Sequence, residues 1–420
     1  MIENASVLDK LKNKYVLLAL LVISLAYIAI AARGQYDFYI YMLAAKDMFA
    51  GKDMYTLTYV DGYHYYYSVL FACIIYPLSF LPIYFAKLIW LLVNFICLIR
   101  IIKIISSYFD LKVLPTKQQW IFLGLCTLSC FKLVLQNIDC QQITILILYL
   151  ILEGLERIWK GNKILGALLI TIAINFKLLP ILFIPYLIYR REFIATFFIF
   201  LFYGVLLELP VIIIGAARNS FLLSSWWNLI NPMNQKHVAD TEEEGFNSLT
   251  TWLATLLVYR KPSVNDLQMP RNIANISITQ LGYVINGVRL LFMAFSLYFL
   301  RTWPFVKQVT KTHRLWEVSY FLLITPLLFP HQQFYSFLLV APALCYIYYH
   351  FITHYKTMSK LKYRLSIAAF ALSFLLCNLN FLLGEFNAYY FYFKTLTYGV
   401  LLIVPMLAVS VPEPELKVKS

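Results

Sequence analysis

The chain has 420 residues, of which 61% are hydrophobic and only 13% are charged, and its mean hydropathy is +0.71. Soluble domains are closer to half apolar and a quarter charged, so this composition excludes a soluble globular protein. The apolar runs are long and do not alternate with polar residues, which excludes a membrane β-barrel. The sequence therefore predicts an all-α polytopic membrane protein.

The net charge of +14 is distributed as in a membrane protein rather than a nucleic-acid-binding one. Most basic residues fall in short clusters between apolar runs, and such loops are usually cytoplasmic. The clusters are Lys10, Lys12, Lys14; Arg100, Lys103, Lys112, Lys117; Arg157, Lys160, Lys163; Arg190, Arg191; Arg301, Lys307, Lys311, Arg314; Lys356, Lys360, Lys362, Arg364; and Lys417, Lys419. We expect membrane lipids, and no nucleic acid, as partners.

The first apolar run, residues 15–32, predicts a span that leads outward. Ala29-Ile30-Ala31 matches a signal-peptide cleavage pattern, but the run is long for a signal peptide, so we expect it to remain as an anchor. Residues 33–82 follow as a first outer loop, with a helix near 38–50 and a short juxtamembrane or re-entrant helix at 66–80.

Further spans are predicted from the apolar runs, each needing about 20 helical residues. They are residues 83–105, 119–136, 142–158, 164–176 with 178–189 (two short helices that meet at Lys177), 193–214, 273–300, 315–330, 332–352, 365–384 and 389–410. The prediction is about 11–13 transmembrane helices, most simply twelve crossings, in a single integral-membrane domain over residues 1–420 with both termini inside.

The longest segment between spans is a long outer loop over residues 215–272, which contains Trp226-Trp227, the acidic run 242–244 and Asn247. A loop of this length without an obvious fold is usually a lid or a binding loop. The acidic run by itself is more typical of a solvated surface.

Sequence motifs of soluble enzymes are absent: there is no Gly-rich nucleotide loop, no zinc-protease motif and no serine-hydrolase motif. The seven cysteines have no metal-binding spacing. Cys126 and Cys130 share a helix face, for which packing is the favoured interpretation.

Asp37 follows the first span by a few residues. It fits two roles about equally. Asp is a favoured N-cap residue, and a helix is predicted from residue 38. A carboxylate at the membrane edge also suits a general base that takes a proton from an acceptor hydroxyl.

Two cations interrupt apolar stretches. Lys177 with Pro180 after it predicts a break between half-helices, where the ammonium contacts a phosphate oxygen or extends toward lipid headgroups. Arg289 needs a partner inside its span, and a ligand and a structural acid such as Glu208 or Asp139 are equal alternatives.

The remaining candidates lie at outer turns. His331 and Gln332 follow Pro330, a position that suits a phosphate or ligand contact as well as a packed polar residue. Asp139 and Gln142 suit either a hydrogen-bonded turn or an edge that binds sugar hydroxyls. Two carboxylates as distant in sequence as Asp37 and Asp139 are weak grounds for a divalent cation.

The tyrosines at 63 and 65–67 suit an interfacial aromatic belt better than sugar stacking. The charge-derived topology places all the candidate polar residues on one side of the membrane. We therefore expect one outer-face site, fed from the lipid, that unites Asp37, Lys177 and His331.

Several stretches, in this order and spacing, resemble glycosyltransferase family 87, a family of the GT-C fold class. They are Asp37-Phe38-Tyr39, Gly51-Lys52-Asp53-Met54-Tyr55, Tyr76-Pro77-Leu78, Trp90, Gln142-Ile143-Thr144, Lys177-Leu178-Leu179-Pro180, Asn247-Ser248-Leu249 and Thr325-Pro326 with His331. The resemblance covers about residues 15–350. One departure is Gln141, where the family usually has glycine.

The resemblance implies a GT-C fold and an inverting transfer of mannose or a similar sugar from a polyprenyl-phosphate-sugar donor to a glycan or glycolipid acceptor. It implies Asp37 as the base, and it matches His331 and Lys177 to the family's conserved histidine and membrane lysine. From the residues themselves we expect Lys177, His331 and Arg289 at the donor phosphate, and Asp139, Gln142, Asn247 and Gln332 at the substrate. The resemblance also implies a bacterial cytoplasmic membrane with the site on the extracytoplasmic side. No cofactor is required by such chemistry, although a divalent cation is compatible with it.

Two other functions share these features. A flippase or transporter of lipid-linked sugars would have the same composition and buried charges, but transporters tend to show repeated broken helices, and only one break is evident here. A polysaccharide polymerase or ligase would use the same type of donor.

Overall fold

The computed structural model describes residues 13–34, 36–231, 245–260, 267, 269–306 and 310–412. Over these residues the chain is helical without a strand, and one antiparallel bridge joins Phe246 to Gln333. The all-α prediction is confirmed. The acidic run 242–244 lies outside the described residues, as do the basic residues Lys10, Lys12, Lys307, Lys417 and Lys419.

The chain divides into two compact units, residues 1–107 with 134–231 and residues 108–133 with 232–420, so that the division falls within the helix Thr116–Asp139. A single domain over residues 1–420 stays a prediction. The α-helices before residue 232 are Lys14–Ala31, Asp37–Phe49, Val69–Ile75, Ile83–Ser106, Thr116–Asp139, Thr144–Trp159, Lys163–Phe176, Phe183–Tyr189, Phe193–Glu208, Val211–Ile214 and Ala216–Ile230. The α-helices described after residue 244 are Leu249–Leu257, Ile278–Leu300, Lys311–Leu328, Ala341–His354, Lys360–Asn378, Asn387–Tyr392 and Thr395–Val409. Short 3-10 segments lie at Val60–Gly62, Tyr76–Phe80, Leu111–Val113, Leu179–Leu182, Phe334–Val340, Leu379–Leu382 and Gly384–Phe386.

Within the described residues, seven helical segments are long and apolar enough to cross a membrane, or eight if the bent pair Gly384–Tyr392 and Thr395–Val409 forms one span. This is fewer than the twelve crossings expected. Thr144–Trp159 has only 16 residues, and Lys311–Leu328 contains three charged residues, Lys311, Arg314 and Glu317. Both helices are largely buried in protein, which accommodates polar groups that lipid would not.

Two predicted interruptions are confirmed. Val69–Ile75 and the 3-10 turn after it are too short to span a bilayer. The predicted pair of short helices separates at Lys177, whose backbone is extended (φ −147°, ψ 122°). Pro180 accounts for the break, because it has no N–H to donate to the carbonyl of Phe176.

Basic residues at one end of the first unit are held by carboxylates. Glu153 accepts from Arg100 at 2.9 Å and from Arg157 at 2.7 Å. Lys160 pairs with Glu156 at 2.9 Å, and Lys163 pairs with Glu192 at 2.7 Å. These clusters are therefore neutralised locally, as expected for residues that set orientation rather than bind an acidic partner.

The helical run Phe334–His354 is central to the second unit, and most of its residues are buried. Around it, Trp316 donates to the carbonyl of Leu407 at 2.8 Å, and the rings of Phe299 and Tyr320 stack at 4.0 Å. Tyr346 on the central run donates to the carbonyl of Ser410 at 2.8 Å. Buried hydrogen bonds of this kind fix the register of helices that apolar packing alone leaves variable.

Candidate functional site

Asp37 is the first residue of the helix Asp37–Phe49. The N-cap position is Tyr36, which makes no side-chain capping bond, so the prediction of Asp37 as an N-cap is wrong. Its carboxylate still lies in the first turn, where the helix dipole favours negative charge. Because Asp37 does not cap the helix, its side chain is available for another role.

A set of hydrogen bonds fixes the segment between the first span and Asp37. The carbonyl of Gly34 accepts from Lys87 Nζ and from Gln141 Nε2, the latter at 3.3 Å. Gln141 Nε2 also donates to the carbonyl of Ala31 at 3.0 Å, and its own carbonyl accepts from Trp90 Nε1 at 2.8 Å. The turn after the helix Thr116–Asp139 thus fixes the position of the segment that precedes Asp37.

Gln141 adopts a left-handed backbone conformation with φ +56°. Glycine reaches this region with little strain, and a side chain there costs energy. The left-handed backbone is the physical reason for the glycine that the resemblance leads us to expect at this position. The strain at Gln141 is offset by the two bonds that its side chain makes to the end of the first span.

Asp37 and Lys177 interact electrostatically. Burial raises the pKa of the Asp37 carboxyl to about 7, and the positive charge of Lys177 opposes that rise. The Lys177 ammonium lies 5.8 Å from the centre of the Tyr67 ring. Burial and the nearby Asp37 charge raise the pKa of the Tyr67 hydroxyl. These three side chains therefore form one group, although they come from distant parts of the sequence.

Lys177 reaches this group because its helix is anchored to the segment that contains Tyr67. Two residues before it, Asn175 Oδ1 accepts a hydrogen bond from Ser68 Oγ at 2.9 Å. Asn175 and Ser68 are both buried. The neighbouring residues, Lys177 and Tyr67, are brought together as a consequence.

Buried tyrosines and Gln142 form one wall of the group. Tyr41 donates to the Tyr67 hydroxyl at 2.9 Å, and both hydroxyls lie within 3.4 Å of Gln142 Oε1. Tyr65 and Tyr67 are buried, so the interpretation of these two residues as a lipid-interface belt is wrong. Over the described residues, the buried Gln142 Nε2 has no hydrogen-bond partner.

Asp139 lies beside this wall but is bound to the first span. Its carboxylate accepts from the Tyr27 hydroxyl at 2.5 Å. Asp37 and Asp139 both act electrostatically on the thiol of Cys140, so the two carboxylates share one neighbourhood. In the described part of the chain, no three His, Cys, Asp or Glu side chains gather as a metal site would require.

The first outer loop also meets the beginning of the long loop over residues 215–272. Ser225 donates to Asp53 at 2.8 Å, and Trp226 donates to the carbonyl of Tyr66 at 3.3 Å. Both residues belong to the helix Ala216–Ile230, so the beginning of the predicted loop is helical.

The second unit contains the other predicted site residues, and it brings them together. The Asn247 N–H donates to the carbonyl of Gln332 at 2.8 Å, beside the bridge from Phe246 to Gln333. Asn247 and Gln332 are both buried. The Thr397 hydroxyl donates to the carbonyl of Asn247 at 2.8 Å, which fixes this turn.

His331 adjoins the same turn. Its ring lies 5.0 Å from that of Phe246, edge to face, and its backbone is left-handed at φ +56°. The next residue, Gln332, donates through Nε2 to the carbonyl of Pro330 at 2.7 Å. Pro330 and the left-handed His331 together produce a tight turn.

Arg289 connects this turn to its neighbours. It donates from Nε to the carbonyl of Leu328 at 3.1 Å and from Nη2 to the Thr250 hydroxyl at 3.2 Å, and it also bonds Asn286 at 3.4 Å. The bonds observed go to neutral acceptors. These bonds involve neither Glu208 nor Asp139, the acids expected as structural partners, and a ligand role for Arg289 stays a prediction.

Sequence reasoning overlooked Lys87 and Tyr41. Lys87 is buried in the second turn of the helix Ile83–Ser106. It is an isolated lysine in an apolar run, and that pattern could have identified it from the sequence. Tyr41 lies one turn after Asp37, on the same helix face. The seven cysteines form no disulfide.

The helical architecture and its spanning segments define a multi-pass membrane protein. The chain belongs to glycosyltransferase family 87, whose model matches residues 65–330, more than half of the sequence. It is therefore a glycosyltransferase. The match begins after Asp37 and ends just before His331, and it includes Lys177, Asp139, Gln142, Asn247 and Arg289. No curated protein and no solved structure matches the chain.

Proposed function

We propose that the protein transfers mannose or a similar sugar from a polyprenyl-phosphate-sugar donor to a glycan or glycolipid acceptor, with inversion at the anomeric carbon. The observation that carries the proposal is the group formed by the half-buried Asp37 and Lys177 with the buried Tyr67, in which a carboxyl with a pKa of about 7 is next to a cation. Family membership supports glycosyl transfer over the flippase alternative.

Asp37 is the general base in this mechanism. A base works best when its pKa is near the working pH, because it is then both unprotonated and able to hold a proton. The acceptor hydroxyl gives its proton to the Asp37 carboxylate as its oxygen forms a bond to the anomeric carbon. The bond from that carbon to the phosphate oxygen breaks on the opposite face, and its electron pair leaves with the polyprenyl phosphate.

Lys177 stabilises the departing phosphate. A cation fixed where negative charge develops lowers the barrier, most strongly where water is excluded. The buried Gln142 Nε2 is the proposed second contact to the donor, and the Oε1 of the same amide accepts a hydrogen bond from the Tyr67 hydroxyl. Asp139, held by Tyr27, is proposed to position the sugar-binding edge of the same turn.

The acceptor cleft is proposed to lie along the helix Asp37–Phe49. Its support comes from the bonds of Ser225 and Trp226 to the first outer loop, which build a folded wall beside that helix. We propose a bacterial cytoplasmic membrane location with this site on the extracytoplasmic side, because the paired basic clusters lie at the opposite end of the helix Ile83–Ser106 from Lys87.

In the second unit, His331 is proposed as a contact to the donor phosphate, and Asn247 and Gln332 as contacts to the substrate. Support comes from their gathering at one turn. Arg289 is proposed to act on the phosphate through this turn, whose carbonyl and hydroxyl neighbours it binds.

The donor class is tested with purified protein in lipid nanodiscs. Polyprenyl-phosphate mannose and a nucleotide-linked mannose are supplied separately with a membrane-extract acceptor, and the anomeric configuration of the product is read by NMR. The proposal expects transfer only from the lipid-linked donor, with inverted configuration. Transfer from the nucleotide donor alone, or retention of configuration, would refute it.

A further inference from the structure

The second unit contains a small cavity of about 30 Å³ beside the exposed Lys362, where the helix Ala341–His354 ends and the helix Lys360–Asn378 begins. One part of its lining is apolar and comprises Ile347, Phe351, Met358, Phe370, Met406 and Val409. The other part is polar and comprises His350, Lys362, Ser366 and Ser410. The cavity thus combines a hydrocarbon surface with a cationic, hydroxyl-bearing one.

The cavity is remote from the turn that contains His331. The 3-10 segment Phe334–Val340 follows the turn, and the first residue of the next helix that lines the cavity is Ile347. The 3-10 segment extends ~14 Å, and the helix from Ala341 to Ile347 adds ~9 Å. The cavity is therefore at the opposite end of the central run from the proposed substrate contacts, and it is not part of that site.

The charges around the cavity are strongly one-sided. Lys362 lines it, and Lys356, Lys360 and Arg364 belong to the same short stretch. Between Val318 and Gly384 the sequence contains no Asp or Glu. The first unit differs, because its basic residues at Arg100 and Arg157 meet Glu153.

The polar side of the cavity is held in place. The ring of His350 stacks on that of His354 at 4.3 Å and lies 6.1 Å from the Tyr346 ring. Ser366 is one helical turn after Lys362, so that both side chains lie on one face. Ser410 is buried, and its hydroxyl donates to the carbonyl of Met406 at 2.8 Å.

We propose that the mouth of this cavity binds the phosphate of an anionic phospholipid. Lys362 and the Ser366 hydroxyl contact the phosphate, His350 lines the headgroup side, and the acyl chains follow the apolar wall of Phe351 and Phe370. Basic pockets between membrane helices on the cytoplasmic side bind acidic headgroups in this way. A lipid, rather than soluble phosphate, is favoured because most of the lining is apolar.

The test is native mass spectrometry of the full-length protein in detergent, titrated with phosphatidylglycerol or with phosphatidylcholine of the same acyl chains. We expect one tightly held phosphatidylglycerol and weaker binding of phosphatidylcholine. Lys362→Gln weakens phosphatidylglycerol binding about fivefold, since one basic residue near a membrane surface contributes roughly that factor. Ser366→Leu, which places a larger apolar side chain in the cavity, also reduces binding.

Lys360→Gln is the matched control, because it removes the same charge from the same helix at a residue that does not line the cavity. The thermal midpoint of each variant without lipid verifies its fold. Equal losses in Lys360→Gln and Lys362→Gln, or equal binding of the two lipids, would overturn the proposal. If inorganic phosphate raises the thermal midpoint of the wild-type protein as much as phosphatidylglycerol does, the lipid assignment is overturned.

Discussion

The Asp37 carboxyl and the Lys177 ammonium are electrostatic neighbours, although Asp37 begins a helix after the first span and Lys177 lies at a break between two short helices. Tyr67 is a neighbour of both: the Lys177 ammonium lies over its ring, and the Asp37 charge raises the pKa of its hydroxyl. The arrangement places an acid–base group and a cation together in a largely buried setting. Each of two neighbouring opposite charges shifts the pKa of the other.

The first prediction concerns the pH dependence of stability. Asp37 has a pKa of about 7 in the folded protein and an ordinary value of 3.8, so the folded state holds a proton that the unfolded state has lost between about pH 4 and pH 7. Stability from this group therefore falls as the pH rises through that window. Asp37→Asn removes the effect, and its thermal midpoint in detergent should fall less than that of wild type between pH 5 and pH 8.

Asp47→Asn is the control for that measurement. Asp47 is on the same helix and forms an exposed ion pair with Lys52 at 2.8 Å. Such pairs contribute about 0–1 kcal/mol, so this variant should keep the wild-type pH profile. A wild-type profile in Asp37→Asn as well would contradict the elevated pKa.

The second prediction concerns the pH dependence of transfer. Lys177 lowers the pKa of Asp37, so its replacement lets that pKa rise further. In Lys177→Met, the rise of kcat/KM with pH should therefore move to higher pH. The measurement is kcat/KM for the donor from pH 5.5 to 9. In Lys177→Arg, which keeps the positive charge, kcat/KM should rise at nearly the same pH as in wild type.

The third prediction separates donor from acceptor. Lys177→Met should reduce kcat/KM for the polyprenyl-phosphate-sugar donor by at least about tenfold, because a charge-assisted contact contributes roughly 1.5–3 kcal/mol. The KM for acceptor should change little. Lys160→Met, which breaks the pair with Glu156, is the matched charge control. An unchanged donor kcat and KM would exclude Lys177 from the phosphate.

The fourth prediction concerns the turn at Gln141. Gln141→Ala keeps the left-handed strain and loses the two bonds to the end of the first span, whereas Gln141→Gly loses the bonds but relieves the strain. The alanine variant should be less stable than the glycine variant by about 1 kcal/mol. Thermal unfolding of both proteins in the same detergent measures the difference, and the reverse order would contradict this role.

Much of the fold follows directly from the sequence. The apolar runs predict the long helices, and Pro180 predicts the break at Lys177. The number of crossings does not follow in the same way, because a helix such as Thr144–Trp159 is apolar through burial in protein rather than contact with lipid. Hydropathy alone does not separate these two environments.

The site was only partly predictable. Charged residues in apolar surroundings identified Asp37 and Lys177, since isolated charges there need a reason. The partners that shape their surroundings, Tyr41 and Tyr67, could not be found, because tyrosine is common in this chain and their contacts join distant segments. A tyrosine that packs inside the protein cannot be distinguished in the sequence from one that faces lipid.

The most direct test of the base assignment is the single-turnover rate of sugar transfer from the polyprenyl-phosphate donor, measured in nanodiscs for wild type, Asp37→Asn and Asp47→Asn. General-base catalysis contributes about 10²–10⁴-fold, so Asp37→Asn should be slower by at least ~100-fold while binding donor and unfolding as wild type does. Asp47→Asn should transfer at the wild-type rate. A folded Asp37→Asn protein that transfers sugar as fast as wild type would contradict the assignment of Asp37 as the base.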